Sequence, residues 1–494
     1  MTNLETAPHP ETLRRVAIEP LSRVEGHCKV TLLLDENNHV QQARLHIVEF
    51  RGFEKFIEGR PFWEVPVMVQ RLCGICPVSH HLAASKAMDQ IVGATLTPTA
   101  GKIRRLMHYG QILQSHALHF FYLASPDLLF GFDAETTQRN VVGLAAHDPA
   151  IVRKGVLLRK FGQEVIRMTA GKRVHGTGAI PGGVNKSLSP DERAALLADI
   201  YEMIAWSREA IHLVRQLFER NLAQYRDFGR FDAHSLCLVR ADGALDLYDG
   251  GLRARRIDGS TLFDYFDTDR YWDAIVEDVK PWSYMKFPFL RALGDADTGW
   301  YRVGPLTRVT QCDFIPTPLA DRARQEFLAC ADGVAARATL GFHWARMIEM
   351  LHAAEAIKEL LHDDDIVGRD LVATGQRRER GVGVIEAPRG TLIHHYRVDE
   401  NDQVIRANLI VSTTHNNQAM NESIRAVARE YFDGREITEG LLNHIEVAIR
   451  CFDPCLSCAT HALGRMPLTV ETVGADGTAL DSLSRDQRGA HSWP

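Results

Sequence analysis

Two cysteine pairs with the same inner spacing stand at opposite ends of this chain. Cys73 and Cys76 lie in Arg71-Leu-Cys-Gly-Ile-Cys-Pro-Val-Ser-His80, and Cys455 and Cys458 in Asp453-Pro-Cys-Leu-Ser-Cys-Ala-Thr-His461, each pair trailed by a histidine. A Cys-x-x-Cys step puts two sulfurs on one side of a turn, close enough to grip one ion. Backbone N–H groups at a helix start favour the thiolate, which is the form that binds metal. Four thiolates make a soft site, suited to zinc, an iron-sulfur cluster or another thiophilic transition metal and not to magnesium or calcium. A zinc ribbon keeps its two pairs within roughly 15–20 residues, whereas nearly the whole chain intervenes here. Disulfides are disfavoured because 494 residues with nine cysteines can bury a core without them. The remaining Cys28, Cys237, Cys312, Cys330 and Cys451 show no ligand spacing and read as small buried hydrophobes.

Two further side chains are candidates for chemistry. Glu25, in Ser22-Arg-Val-Glu-Gly-His27, precedes a β-hairpin pattern, and Gly26 lets its backbone approach another segment. Arg389, in Glu386-Ala-Pro-Arg-Gly390, sits in a tight loop that could offer a guanidinium to a buried anion. Gly176-Thr-Gly178 and Gly381-Val-Gly383 do not complete the dinucleotide fingerprint, so no nucleotide site is expected.

The elements that must position these groups are mostly helical. Apolar spacing of helical period covers about 98–124, 149–171, 317–362, 416–432 and 438–451, and Ser189-Pro-Asp-Glu192 is a capping box opening another helix. Residues 28–50 alternate apolar and polar around Asp35-Glu-Asn-Asn38, and 391–414 do the same around Asp399-Glu-Asn-Asp402, which reads as two similar hairpins. The stretch 231–310 is Gly/Asp-rich and reads as short strands and loops. The expected fold is α+β and mostly helical: a large helical core with small β-hairpins near both ends. Two cysteine pairs sharing one ion would bring both ends into a single domain, despite a length that allows about three.

Composition narrows the function. Hydrophobic content of 45% and charged content of 24% are ordinary for a globular protein. A net charge of -6, with no Lys/Arg cluster, argues against nucleic acid. The polar start lacks a signal peptide's apolar core, and no window approaches the roughly 18 apolar residues of a membrane helix, so cytoplasmic residence is expected.

The motifs Arg71-x-Cys73-Gly-x-Cys76-x-x-x-His80, Asp453-Pro-Cys455-x-x-Cys458-x-x-His461 and Arg23-Val-Glu25-Gly-His27 together resemble the signatures of nickel-iron hydrogenase large subunits. The likeness continues through Phe50-Arg-Gly-Phe-Glu54, Pro181-Gly-Gly-Val-Asn185, Trp282-Ser-Tyr-Met-Lys286 and Glu386-Ala-Pro-Arg389, and is strongest to the soluble NAD-reducing type. The resemblance implies that all four cysteines bind nickel, Cys73 and Cys455 terminally, with Cys76 and Cys458 bridging to an iron that carries two cyanides and a carbon monoxide. Hydrogen would be split heterolytically, the proton passing from Cys455 to Glu25. Arg389 would lie over the open metal face, with His80, Thr413 and Asp453 around the ligands. A magnesium ion would rest on Glu54, the Leu409 carbonyl and His461. Residues 1–461 would form the mature domain, and 462–494 an extension removed by an endopeptidase after nickel-insertion factors have loaded the site. Iron-sulfur clusters, flavin and NAD would belong to partners: diaphorase subunits and a hydrogenase small subunit. Rivals are a relative serving a deazaflavin carrier and a metal-free complex I-like subunit, against which the four cysteines speak. Ser115 stands where many relatives carry Asp, and His415 where many carry Trp.

Overall fold

The computed structural model describes residues 12–280, 282–460, 468–473 and 479–485. Near each end lies a three-stranded antiparallel sheet. The first orders Arg14–Ile18, Cys28–Leu34 and Val40–Ile47; the second orders Arg380–Ala387, Gly390–Val398 and Val404–Ile410. Each expected hairpin therefore gains a third strand. Both hairpins turn by the same chemistry: Asp35 Oδ1 accepts from the N–H of Asn37 and His39, and Asp399 Oδ1 from Asn401 and Gln403, all at 2.9 Å. Asn38 and Asp402 then take left-handed φ angles of 65° and 63°, which Asn and Asp tolerate because their short side chains bond locally. The repeated Asp-Glu-Asn is thus one turn used twice, in two separate sheets.

Between the sheets, helices form the core. Pro98–Leu118 packs along Pro149–Ala170 and Gly341–His362, and the latter also along Pro190–Arg220. Gly341–His362 is buried on nearly every face, as expected of a helix at the centre of a large domain. The Ser189 capping box forms as read: its hydroxyl accepts from the Glu192 N–H at 3.1 Å, and Glu192 accepts from the Ser189 N–H at 3.0 Å. One helical expectation needs correction. Residues 317–362 are not continuous but split into Pro318–Ala329 and Gly341–His362. Ala331 and Asp332 turn left-handed at φ 48° and 55°, and Asp332-Gly333 supplies turn chemistry inside an otherwise helical pattern.

The helix Pro77–Ile91, with Cys76 at its N-cap, lies flat on the strand Arg380–Ala387. Gly381 and Gly383 permit this, since a Cβ at either would stand 1.9 Å from the carbonyl oxygen of Ala87 or Ala83. Gly381-Val-Gly383 is thus a docking groove for the helix that presents a cysteine. Leu468–Val473 pairs antiparallel with Ala479–Arg485, so part of the expected extension is a hairpin. No helix among the described residues is long and apolar enough to cross a membrane.

Candidate metal centre

The two cysteine pairs meet. Their four sulfurs lie within 4.8 Å of one another, with Cys73 Sγ 2.9 Å from Cys76 and 3.3 Å from Cys455, and Cys458 Sγ 2.7 Å from Cys455 and 3.9 Å from Cys76. All four are buried. Local structure aims them. The Cys73 sulfur accepts backbone N–H bonds from Ile75 at 3.2 Å and Cys76 at 3.0 Å, the donors that a helix start leaves free. Gln111 and Gln114, from the helix Pro98–Leu118, both donate to the Ile75 carbonyl at 2.9 Å and pin the first Cys-x-x-Cys step. The second step is pinned by Thr413, whose hydroxyl accepts from the Cys455 N–H at 2.9 Å. Burial pushes the thiols of Cys455 and Cys458 well up. At Cys73 burial acts the same way, but hydrogen bonds from the neighbouring thiols and the positive Arg389 outweigh it and hold that thiol well below its usual value. The thiolate is therefore favoured at Cys73 and the thiol at Cys455 and Cys458, so loading a metal must release protons.

Arg389 and Asp453 close one side. The buried guanidinium donates from Nε to the Asp453 carbonyl and from Nη2 to Asp453 Oδ1 at 3.2 Å. Its Nη1 and Asp453 Oδ2 are buried and have no partner among the described residues. A buried N–H without an acceptor is costly, so its presence marks a place meant for an acceptor. A small cavity there is walled by Cys76, His80, Pro388, Arg389, Thr413 and Cys455. Because Thr413 uses its oxygen toward the Cys455 N–H, its hydroxyl proton is left to give. Two sulfurs, a spare guanidinium N–H and a hydroxyl fit a thiophilic metal carrying small acceptor ligands. His80 faces the other way as well, its Nδ1 lying 3.1 Å from His394 Nε2, and His394 Nδ1 lies 2.6 Å from the Tyr396 hydroxyl.

Glu25 lies against the second cysteine step. Its backbone bridges to Cys455, its carbonyl accepts from the Leu456 N–H at 3.1 Å, and its carboxylate accepts from the Ser457 N–H at 3.3 Å and from the Ser457 hydroxyl. Gly26 makes this approach possible: at φ 88° a Cβ would stand 2.8 Å from Leu456 Cβ and 2.9 Å from the Ser457 nitrogen. Glu25 is partly exposed while the sulfurs are buried, so it stands between the cluster and the surface. Arg23 anchors the segment by pairing with Asp127, which also takes Arg450 Nη1 at 2.9 Å.

A model of the nickel-dependent hydrogenase family matches residues 51–138 and 239–461, and a second model, described as HoxL-like, matches residues 15–50. The chain belongs to the nickel-dependent hydrogenases. It is 49% identical over 490 residues to the NAD-reducing hydrogenase HoxS subunit beta of Cupriavidus necator, covering 96% of this chain and all of that one. To a chain of the F420-non-reducing hydrogenase vhc of Methanococcus voltae it is 39% identical, covering 92% and 96% of the two chains. Its fold superposes with a TM-score of 0.89 on a crystal structure of an NAD+-reducing [NiFe]-hydrogenase in the H2-reduced state, at 59% identity over 91% of this chain and 99% of that one. The Ni-Fe-Se hydrogenase of D. vulgaris Hildenborough shares the fold at 23% identity and a TM-score of 0.73. The protein is an oxidoreductase that activates hydrogen, with the expected α+β, mostly helical large-subunit fold.

In this hydrogenase the residues expected to hold magnesium are only partly described. Glu54 and Leu409 are brought together, the Glu54 carboxylate accepting the Leu409 N–H at 2.9 Å. Lys286 Nζ lies 3.4 Å from Glu54 and 2.9 Å from Glu277, so an ammonium already balances these acids. His461 lies outside the described residues, but Thr460 before it is held at this place by the Arg51 N–H, 2.7 Å from its carbonyl. Several hydrogenase residues carry no mark in the sequence: Gln111 and Gln114, His394, and the buried Arg308 and Glu349 that join Glu386 beneath the Arg389 loop. Their partners are tens to hundreds of residues away in the chain, so no local spacing could mark them.

Proposed function

We propose that this chain is the hydrogen-activating large subunit of an NAD-reducing hydrogenase, with a nickel-iron pair on the four cysteines. The observation that carries the reading is the buried sulfur cluster with Glu25 bonded along one side of it and an unsatisfied Arg389 N–H on another. All four cysteines would hold nickel, and Cys76 and Cys458 would also hold the iron. When bound, the pair supplies the Lewis acidity and two-electron capacity that split hydrogen. The chain's own part is proton handling and orientation. Cys455 takes the proton, and Glu25, bonded along the same loop, carries it outward. Arg389 and Thr413 give hydrogen bonds toward the cavity, Asp453 holds the guanidinium in place, and His80 supports the bridging sulfur.

Magnesium on Glu54, the Leu409 carbonyl and His461 would tie the end of the mature chain, residues 1–461, to its core. The tail 462–494 would be removed by an endopeptidase after nickel-insertion factors have acted. Electrons would leave to a small subunit with an iron-sulfur cluster, then to flavin- and NAD-binding diaphorase subunits, all in the cytoplasm. Support comes from the high identity to the NAD-reducing relatives across nearly their whole length.

Glu25→Gln tests the proton role. The amide keeps the size and can still accept the Ser457 N–H, but it cannot relay a proton. Nickel content should stay normal while hydrogen/deuterium exchange falls about 10²–10⁴-fold. Wild-type exchange in the variant would refute the assignment.

A further inference from the structure

Beneath the loop that carries Arg389 lies a second guanidinium, Arg308, on the helix Pro305–Gln311 and without solvent exposure. The proposed chemistry does not use it, yet each of its five N–H donors has an acceptor. Nε and Nη2 grip the two oxygens of Glu349 at 2.6 Å each. Nη1 donates to Glu386 Oε2 at 2.7 Å and to the Ala387 carbonyl at 3.0 Å, and Nη2 gives its second proton to the Pro388 carbonyl at 3.3 Å. The two carboxylates are held in turn. His116 Nε2 lies 3.0 Å from Glu349 Oε2, while Glu386 Oε1 accepts from the Leu238 N–H at 2.8 Å and the Thr391 hydroxyl at 2.7 Å.

The Ala387 and Pro388 carbonyls immediately precede Arg389, whose side chain donates, among the described residues, to Asp453 alone. We propose that Arg308 is a positioning residue for the hydrogen reaction: its rigid fork fixes residues 386–388 from below, so that the Arg389 guanidinium is held in register over the sulfur cluster. A charge partner alone would need one carboxylate. Arg308 instead spends two of its five bonds on the backbone of the loop, and a planar fork can hold four separate groups at fixed angles where an ammonium cannot. The inference rests on the reading of Arg389 given above.

The test uses the assembled hydrogenase, with Arg308→Lys made both in the native background and beside Arg389→Lys. If Arg308 acts through Arg389, the two sites form one unit and their effects do not add. Arg308→Lys should keep nickel, lower hydrogen/deuterium exchange about 10–100-fold, and shift the infrared stretching bands of iron-bound carbon monoxide and cyanide. Beside Arg389→Lys the same change should alter exchange less than about two-fold. Equal losses in the two backgrounds, or unshifted bands with an unchanged rate, would overturn the positioning role. If Arg308→Lys does not fold, Glu386→Gln, which weakens one arm of the fork and keeps its shape, should show the same non-additivity on a smaller scale, and additive effects there overturn the role equally. Full exchange in Arg389→Lys alone counts instead against the reading of Arg389.

Discussion

Gly26→Ala probes how closely the N-terminal segment must approach the second cysteine step. The new Cβ would meet Leu456 Cβ at 2.8 Å and the Ser457 backbone nitrogen at 2.9 Å, where ordinary contact begins at 3.4 Å, and would sit at φ 88°. A left-handed non-glycine costs roughly 1–2 kcal/mol, and overpacking a well-filled contact adds about 1–3 kcal/mol, so the variant should lose on the order of 2–5 kcal/mol of local stability. One obstacle is backbone, so relief requires the segment to move back by about half an ångström. Glu25 moves with it, stretching its bond to the Ser457 N–H beyond 3.3 Å. Since a displacement of about 1 Å can cost 10²-fold in rate, hydrogen/deuterium exchange should fall about tenfold. The assay is exchange per nickel, alongside nickel content and melting temperature. Retained nickel with slowed exchange and a lowered melting point is the expected result; native melting and native exchange together would show that the close approach is not needed.

Cys76→Ser or Cys458→Ser should abolish the metal pair, because a hard hydroxyl is a poor bridge between soft metals; elemental analysis finding normal nickel alongside full hydrogen uptake would contradict this. Acid should weaken the fold before the carboxylates titrate. Burial lowers His81, His108, His116 and His352 from 6.5 to about 4. Their contribution is fully present above pH 6.5 and is lost as pH falls toward 4, because the unfolded chain takes up protons that the buried rings cannot. The melting temperature should decline steadily across that window, and a flat profile would refute the account. Active, nickel-loaded protein should show an intact mass ending at His461, whereas a fully active species still carrying Trp493 would show that the tail is not a maturation segment.

The cysteine cluster was legible in the sequence because each half of it is a local motif: a turn of four residues fixes which sulfurs can converge, whatever the rest of the chain does. Helices with long apolar periods and strong caps, such as Pro190–Arg220, were legible for the same reason. The outer strand Arg380–Ala387 was not, because Gly381-Val-Gly383 suggests only an incomplete nucleotide motif, whereas these glycines admit the backbone of a helix remote in sequence. The break at Ala331 and Asp332 was hidden because the apolar spacing resumes beyond it. Arg308 was the least legible. An arginine reads as surface until its acceptors are known, and Glu349 and Glu386 lie 41 and 78 residues further on. Glu54 was readable only through its motif, and its contact with the Leu409 N–H spans 355 residues.

The sulfurs that face each other across the cluster are 382 positions apart in the chain. A ribosome adding about 5–20 residues per second needs about 20–75 s to travel from the first pair to the second. For that time Cys73 and Cys76 are half a site, two thiols with nothing opposite them. They are then at their most open to oxidation and to capture by a stray soft metal such as zinc. Because a four-sulfur site needs both pairs, the order of synthesis places its completion after the second pair has been made, however early the first pair folds.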